Sequence, residues 1–266
     1  MCAAVRHQDI AGQQIDATDV RCPTGSYTSI LANLGDQADD VHQVAFGPDP
    51  SFFRPSTLNG DADPDHLEGG NGNDTINGGA GNDVLTAFGG HDALTGGDGG
   101  DQFYVEPGDS GAHSYDGGPG NDTFTGGAGN ETFAGGDDAD TIDGGAGNDT
   151  IDGGPGPDQM SGDGAAVTGG AFDAVTYQSR AAPVRVTLEE SGDPDFSASN
   201  DGENGEGDRV APDVEIVRGG SGSDQLFGNS RRNELHGGDG SDAIDGGANN
   251  DTLYGDGGSD QITGGP

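Results

Sequence analysis

The stretch GGAGNDTIDGGPGPDQM, at residues 144–160, contains a nine-residue unit that starts again at its tenth residue. Each unit has glycine at positions one, two and four, aspartate at position six and an apolar residue at position eight. Outward from this stretch the pattern recurs at residues 60–104, 108–161 and 219–263, in sixteen copies, eleven and then five. Repetition with a fixed period is typical of proteins built from stacked structural units.

The period of nine residues excludes a helix. A helix turns about 100° per residue, so apolar residues nine apart would fall on opposite faces. Each interior glycine would also cost about 1 kcal/mol. The alternative is a six-residue glycine turn followed by a three-residue strand, with two units making one coil. We therefore predict an all-β fold, a parallel β-roll (β-solenoid) of 18-residue coils with a small β-rich N-terminal segment.

The central residue of each predicted strand, at position eight, is expected to point into a thin core. These residues are all apolar or aromatic: Leu67, Ile76, Leu85, Leu94, Phe103, Tyr115, Phe124, Phe133, Ile142, Ile151, Met160, Leu226, Leu235, Ile244, Leu253 and Ile262.

The placement of the repeats divides the chain into four predicted parts. Residues 1–58 form a β-rich lead-in, residues 59–161 the first repeat array, residues 162–218 a β-hairpin-like insertion with an acidic loop, and residues 219–266 the second array. Cys2 and Cys22, in the lead-in, either form a disulfide in an oxidising compartment or stay free thiols. Their positions beside a short β-like stretch favour the disulfide.

The charge of the chain indicates its partners. It has 48 acidic residues, nine arginines and no lysine, with a formal net charge of −39, and only 29% of its residues are hydrophobic. Such a composition indicates disorder unless a bound cation compensates it. The acidic balance argues against nucleic acids and anionic membranes, which need basic residues. No stretch reaches the roughly 18 apolar residues of a membrane span. Divalent cations are the partners that this charge favours.

Position six is the chemical position of the repeat. Stacked coils would place its carboxylates in rows about 4.8 Å apart, where like charges repel. A hard dication removes this repulsion. Ca²⁺ takes six to eight oxygen ligands in flexible geometry, and glycine turns offer backbone carbonyls beside each carboxylate. Zinc would need clusters of His and Cys, whereas the six histidines are scattered. We predict several Ca²⁺ ions.

The consensus GGxGxDx(apolar)x, at residues 60–161 and 219–263, resembles the RTX, or haemolysin-type, calcium-binding nonapeptide repeat of secreted bacterial proteins. The resemblance implies that turn carbonyls and the position-six carboxylate bind Ca²⁺ between neighbouring coils. The metal ligands it implies are Asp65, Gly69, Gly70, Gly72, Asp74, Gly78, Gly79, Gly81, Asp83, Gly90, Asp92, Gly97, Gly99, Asp101, Gly118, Gly120, Asp122, Gly127, Gly129, Glu131, Asp140, Gly145, Gly147, Asp149, Gly154, Gly156, Asp158, Gly220, Gly222, Asp224, Gly238, Gly240, Asp242, Asp251 and Asp260.

The copies differ in how closely they match the family pattern. The best-matched ligands are Asp74, Asp83, Asp101, Asp122, Asp149, Asp158, Asp224 and Asp242. The turns that carry Asp92, Asp140, Asp251 and Asp260 have altered glycines. Glu131 is longer than the aspartate of the family, and His113 and Asn233 mark empty or weakened sites.

The insertion has its own pattern. Alternating Val184, Val186 and Leu188, and then Val214 and Ile216, predict two strands. The acids between these strands either bind one more Ca²⁺ or belong to a solvated loop, and the solvated loop is favoured. These acids are Asp201, Glu203, Glu206 and Asp208.

No catalytic motif accompanies the repeats. The chain has no lysine, no HExxH pair of histidines and no GxSxG turn. We expect a secreted or cell-surface protein that is not an enzyme, a monomer with no identifiable macromolecular partner, in which calcium binding is coupled to folding. The alternatives are an accessory region of a larger secreted enzyme and a surface adhesin module. We identify no export signal in the sequence, so we expect either a signal outside it or a fragment.

Overall fold

The structure is a computed structural model that describes residues 55–106, 108–163, 172–188 and 201–266, with residue 38 and the backbone of residues 3–5, 19–21, 30–33 and 40–41. Regular structure in these residues is all β-strand, without a helix, and so without one long and apolar enough to cross a membrane. Strands one coil apart pair in parallel, which confirms the predicted β-solenoid. Cys2 and Cys22 lie outside the described residues.

By its internal contacts the chain divides into two compact units, residues 1–132 and 133–266. The strands of the first unit are β1 (Ala3–Val5), β2 (Asp19–Arg21), β3 (Ile30–Asn33), β4 (Asp40–Val41), β5 (Ser56–Ala62), β6 (His66–Glu68), β7 (Thr75–Ala80), β8 (Val84–Ala87), β9 (Ala93–Asp98), β10 (Gln102–Val105), β11 (Ser114–Pro119) and β12 (Thr123–Thr125). Strands β1 and β2 pair antiparallel. The others lie in two parallel sheets, in the orders β3-β5-β7-β9-β11 and β4-β6-β8-β10-β12.

The register of the first unit follows the repeat. Leu67 pairs with Leu85 and Leu85 with Phe103, each a step of 18 residues. Residues 105–107 add three positions, so Phe103 pairs with Phe124. Because each coil gives one strand to each sheet, alternate copies lie in opposite sheets.

The tight stacking of coils requires glycine in the turns. Gly97 has φ = 110°, in the left-handed region, and a Cβ atom there would collide with the carbonyl oxygen of Gly79 in the preceding coil. A side chain is therefore excluded both by conformation and by space.

The strands of the second unit, the first of which begins one residue before it, are β13 (Thr132–Asp137), β14 (Thr141–Asp143), β15 (Thr150–Asp152), β16 (Gln159–Ser161), β17 (Ala174–Thr176), β18 (Val184–Thr187), β19 (Gly202–Glu203), β20 (Arg209–Val210), β21 (Ile216–Arg218), β22 (Gln225–Phe227), β23 (Glu234–His236), β24 (Asp239–Gly240), β25 (Ala243–Asp245), β26 (Thr252–Tyr254), β27 (Gly257–Gly258) and β28 (Gln261–Thr263). They pair in the orders β13-β15-β17-β21-β23-β26, β14-β16-β20, β19-β18-β22-β25-β28 and β24-β27.

Residues 162–218, which we expected to form a hairpin-like insertion, contribute strands to these same sheets. Ile151 pairs in parallel with Val175, and Met160 with Val210. Strands β18 and β19 do pair antiparallel. We expected Val214 and Ile216 to alternate along one strand. In the structure Val214 is buried, but Ile216 is only half-buried and the buried residue of that strand is Val217. The described parts of this segment therefore continue the coils.

The predicted core is confirmed at every position-eight residue except Leu253 and Ile262. The other members are almost fully buried. Leu253 is half-buried, and Ile262 is 48% exposed. These two lie on β26 and β28, the end strands of their sheets, which have a neighbouring strand on one side only among the described residues.

Candidate metal centre

The position-six acids lie directly before the strands, and backbone N–H groups link them from coil to coil. In the first unit the N–H of Asp65 donates to Oδ1 of Asp83 at 2.8 Å. The N–H of Asp83 donates to Oδ1 of Asp101 at 2.8 Å, and that of Asp101 to Oδ1 of Asp122 at 2.7 Å. We call these linked acids, with the equivalent acids described below, the carboxylate ladder.

Equivalent hydrogen bonds lie along the other sheet of the first unit and within the second unit. The N–H of Asp74 donates to Oδ1 of Asp92 at 2.8 Å. In the second unit, the N–H of Asp140 donates to Oδ1 of Asp158 at 2.9 Å. The N–H of Asp224 donates to Oδ1 of Asp242 at 2.8 Å. The stacking of coils, rather than any local turn, therefore positions one oxygen of each of these carboxylates.

Most of the predicted carboxylate ligands are buried. Members that are at most 3% exposed are Asp65, Asp74, Asp83, Asp92, Asp101, Asp122, Glu131, Asp140, Asp149, Asp158, Asp224 and Asp242. Asp251 and Asp260 are half-buried. Buried ionised carboxylates are costly unless they are paired or coordinate a metal.

In turns such as those of Asp83 and Asp101, the second carboxylate oxygen faces the position-one glycine of the same turn. A Cβ atom on Gly78 would come within 3.0 Å of both Oδ2 of Asp83 and the carbonyl oxygen of Gly96 in the next coil. The turn thus holds a space that is bordered by a carboxylate oxygen and a carbonyl oxygen. Within the described residues, Oδ2 of Asp83, Asp101, Asp158 and Asp242 is buried and accepts no hydrogen bond.

These oxygens fit a hard divalent cation. Carboxylate and carbonyl oxygens are the donors that Ca²⁺ takes, six to eight at a time. No three His, Cys, Asp or Glu side chains converge on a metal position in the described part of the chain. A cation between two coils would therefore draw on the ladder carboxylates and, for most of its ligands, on turn carbonyls. The individual glycine ligands remain predictions.

Burial raises the pKa of the ladder acids. It is the largest cause of the rise in the pKa of Asp101 to about 6 and of Asp122 to about 7, and neighbouring carboxylates add to both shifts. Burial likewise raises the pKa of Asp158 to about 6. A nearby cation would favour the ionised form, so these shifts indicate where positive charge is needed.

Three predicted ligands bind an N–H group of their own turn. Oε2 of Glu131 accepts the N–H of Gly127 at 3.3 Å. Oδ2 of Asp74 accepts a hydrogen bond from the N–H of Gly70 at 2.7 Å, and Oδ2 of Asp224 accepts one from Gly220 at 2.8 Å. Both aspartates also accept a bond at Oδ1, from Ser56 and Val184 respectively. In these turns the carboxylate binds its own turn, as a position-two N–H group allows.

His113 places an imidazole at a position that in most repeats holds a carboxylate. It is 2% exposed; its Nδ1 lies 3.2 Å from Oδ2 of Asp92, and its Nε2 lies 3.2 Å from Oδ2 of Asp109. Burial opposes its protonation, but the hydrogen bond and charge of Asp92 and the charges of Asp109 and Glu131 raise the pKa of His113. In the neutral ring Nδ1 accepts the N–H of Asp92 at 3.1 Å, the bond that Oδ1 accepts in a ladder acid, and Nε2–H donates to Oδ2 of Asp109. Protonation of Nδ1 would place a positive charge beside the carboxylates of Asp92 and Asp109.

Asn233 occupies the other exceptional position with a neutral amide. Its Oδ1 accepts the N–H of Asn229 at 2.9 Å, and its own N–H donates to Oδ1 of Asp251 at 2.9 Å. Asn233 therefore donates the hydrogen bond of the ladder with its backbone, while its uncharged side chain binds its own turn.

The ladder includes three acids that the nine-residue pattern did not identify as ladder members. Asp173 accepts the N–H of Asp149 at 2.9 Å, Glu215 that of Asp173 at 3.1 Å, and Asp208 that of Asp158 at 3.1 Å. Their spacings of 24, 42 and 50 residues hide them from a search with period nine. A shorter signal was present: each stands two residues before a buried valine, as Asp173 does before Val175.

The acids of the loop at 201–208 are held by hydrogen bonds within the chain. Asp201 accepts the N–H groups of Thr187 and Val210 at 2.8 and 2.9 Å. Oδ2 of Asp208 accepts the hydroxyl of Tyr177 at 3.1 Å, and Glu206 forms an ion pair with Arg180 at 3.0 Å. Asp201 and Asp208 are buried, so this part of the predicted solvated loop is ordered into the coils.

Stacked coils with buried, oxygen-lined turns define a cation-binding β-solenoid protein. The profile of the RTX calcium-binding nonapeptide repeat (4 copies) matches residues 56–85, 68–103, 107–142, 125–160, 218–253 and 236–266, which together make up more than half of the chain. The chain belongs to this family, and its repeats indicate calcium binding. No curated protein matches the chain.

Proposed function

We propose that this chain is a secreted, non-catalytic protein whose folding is coupled to calcium binding. The observation that carries the proposal is the carboxylate ladder, in which buried oxygens such as Oδ2 of Asp83 and Asp101 accept no hydrogen bond within the described residues. The whole chain has nine arginines and no lysine for 48 acidic residues. Internal ion pairs therefore neutralise only a minority of the acids.

Coupling follows from where the charges lie. The ladder acids become buried neighbours only when the coils stack, so an ion that binds between coils binds the folded chain and not the unfolded one. Its binding free energy is then folding free energy. Each site contributes about 2.7 kcal/mol when free calcium exceeds its dissociation constant a hundredfold.

Secretion is supported by the family and by calcium supply. RTX repeat proteins are typically secreted, and extracellular calcium modules bind with dissociation constants of about 10⁻⁴ to 10⁻³ M. A chain with sites in this range would fold outside the cell and stay expanded inside it. Fractionation of the expressing cells tests this part: the protein should accumulate in the medium, and retention in the cytosol would contradict it.

Far-UV circular dichroism during a calcium titration tests the coupling. The chain is first freed of metal at neutral pH, and magnesium serves as the control ion. We expect a cooperative transition from coil to β-structure with calcium alone, because magnesium demands near-ideal octahedral geometry and dehydrates reluctantly. A β-rich spectrum without metal, or a disordered chain in millimolar calcium, would contradict the proposal.

A further inference from the structure

Several repeats of the second unit place a position-one glycine against two oxygen atoms, and this contact can be recognised without reference to sequence spacing. A Cβ atom on Gly237 would come within 3.0 Å of Oδ2 of Asp242 and of the carbonyl oxygen of Gly255. A Cβ atom on Gly135 would meet Oδ2 of Asp140 and the carbonyl oxygen of Gly153 in the same way. In each case the position-one glycine and the position-six acid are five residues apart.

Gly162 faces the carboxylate of Asp173 as these glycines face theirs, although the two residues are eleven apart. A Cβ atom on Gly162 would come within 3.0 Å of Oδ2 of Asp173. The carbonyl oxygen of Gly162 in turn lies 3.0 Å from the Cβ position of Gly144, as a position-one carbonyl of the next coil should. Oδ1 of Asp173 accepts the N–H of Asp149 at 2.9 Å. Gly162 and Asp173 thus occupy positions one and six of a coil that the repeat pattern does not reveal.

Asp173 provides an oxygen that is available to a ligand. Its side chain is 0% exposed, and Oδ2 accepts no hydrogen bond within the described residues. This oxygen points at Gly162, whose N–H donates to Oδ1 of Asp213 at 3.4 Å. Asp213 is itself only 7% exposed. Two buried carboxylates from different coils therefore meet at one glycine.

The surrounding charge is strongly negative. Burial and then the charges of Asp163 and Asp213 raise the pKa of Asp173 to about 6. Glu215 accepts the N–H of Asp173 at 3.1 Å. Burial and then the charges of Asp173 and Asp163 raise the pKa of Glu215 to about 7. Arg231 is the cation that acts on Asp213 and Glu215. Arg231 thus acts on two of these four acids, and the excess of negative charge favours a divalent cation over a monovalent one.

We propose that Asp173 and Asp213, whose carboxylates meet at Gly162, bind a calcium ion at a site outside the recognised repeats. Family matches stop at residue 160 and resume at residue 218, so no repeat covers this site. The choice of calcium as the ion rests on the proposed function. The donors are all oxygens, which a hard divalent cation requires.

Asp173→Asn is the principal test. Asparagine keeps Oδ1 as acceptor for Asp149 but replaces Oδ2 by an NH₂ group, which cannot ligate a cation. The matched control is Asp137→Asn, the same change of charge at an exposed residue of the same unit. Isothermal titration of the full chain with calcium gives the number of bound ions. We expect Asp173→Asn to lose one bound ion per chain relative to the wild type and to Asp137→Asn.

The outcomes separate this inference from the proposed function. If the wild type binds no calcium, the proposed function fails. If Asp242→Asn loses an ion while Asp173→Asn binds as many as the wild type with unchanged affinity, the repeats bind calcium and the site at Asp173 is overturned.

Asp213→Asn covers the case in which Asp173→Asn does not fold. The asparagine keeps an oxygen that can accept the N–H of Gly162, to which Asp213 makes a long hydrogen bond of 3.4 Å. The same loss of one ion is expected, and unchanged number and affinity would overturn the inference.

Discussion

At the scale of single residues, Gly78 illustrates why a turn needs glycine even where the backbone conformation does not. The φ angle of Gly78 lies outside the left-handed region, so its backbone conformation is open to alanine. The methyl group of Gly78→Ala would, however, fill the space between Oδ2 of Asp83 and the carbonyl of Gly96. We expect a loss of about 1–3 kcal/mol of stability and weaker calcium binding, measured by urea unfolding and calorimetry.

The matched control for this substitution is Gly264→Ala. No atom lies within 4 Å of the Cβ position of Gly264, and its φ also lies outside the positive range. This variant should be neutral or more stable by up to about 1 kcal/mol. Equal effects of the two substitutions would contradict the role of the space at Gly78.

His113 makes a pH-dependent contribution of its own. Its folded pKa is raised above 6.5, so the stability it contributes is fully present below pH 6.5 and is lost as the pH rises through the folded pKa. NMR titration of the imidazole in metal-free protein should give a value above 6.5. His113→Gln should lower stability at acidic pH and remove this part of the pH dependence. A ring that titrates at or below its ordinary value would contradict the ion pairs with Asp92 and Asp109.

At the scale of strands, the thin core makes each inward side chain important. Phe103 on β10 is 0% exposed and stacks on Phe124 with ring centroids 4.5 Å apart and planes at 9°. Phe103→Ala should cost about 3–5 kcal/mol of unfolding free energy in saturating calcium. The neighbouring Tyr104 is 39% exposed, and Tyr104→Ala should cost much less. Similar urea midpoints for the two variants would show that the inward face does not hold the coils together.

The sequence predicted strands well where the repeat keeps its register and poorly where it does not. The nine-residue period predicts that Leu85 and Phe103 pair on neighbouring parallel strands, because neighbouring coils there have equal lengths. Between Met160 and Val210 the coil is long, so no period connects two residues that nevertheless pair in parallel. Pairing depends on stacking against the previous coil, and a sequence pattern detects this only when the number of residues per coil is constant.

The candidate site was predictable in its charge but not in its hydrogen bonds. Any stacking of the repeats places Asp83 and Asp101 in neighbouring coils, which is why their burial and like charge could be expected. That Asp74 binds the N–H of Gly70, whereas Asp83 leaves Oδ2 without a hydrogen bond, depends on small differences between turns. The two sequences, GGNGND and GGAGND, are too similar to predict such a difference.

At the scale of the whole molecule, protons and calcium act on the same carboxylates. The pKa of Asp101 rises from its ordinary value of 3.8 to about 6 and that of Asp122 to about 7. Folding without metal therefore favours the protonated acids. Their contribution to stability is present below pH 3.8 and is lost as the pH rises through about 6 to 7. With calcium the dependence reverses, since binding requires ionised carboxylates.

Circular dichroism of the chain, freed of metal by a chelating resin, tests this reversal between pH 8 and pH 5, with and without calcium. Without calcium, β-structure should increase as the pH falls, whereas the calcium concentration at the folding midpoint should increase over the same range. Repeating the series in higher salt is the control, because salt screens exposed charges far more than buried ones. A metal-free chain that gains β-structure as the pH rises would place the ladder acids in solvent, and the buried ladder would then not be the origin of the calcium dependence.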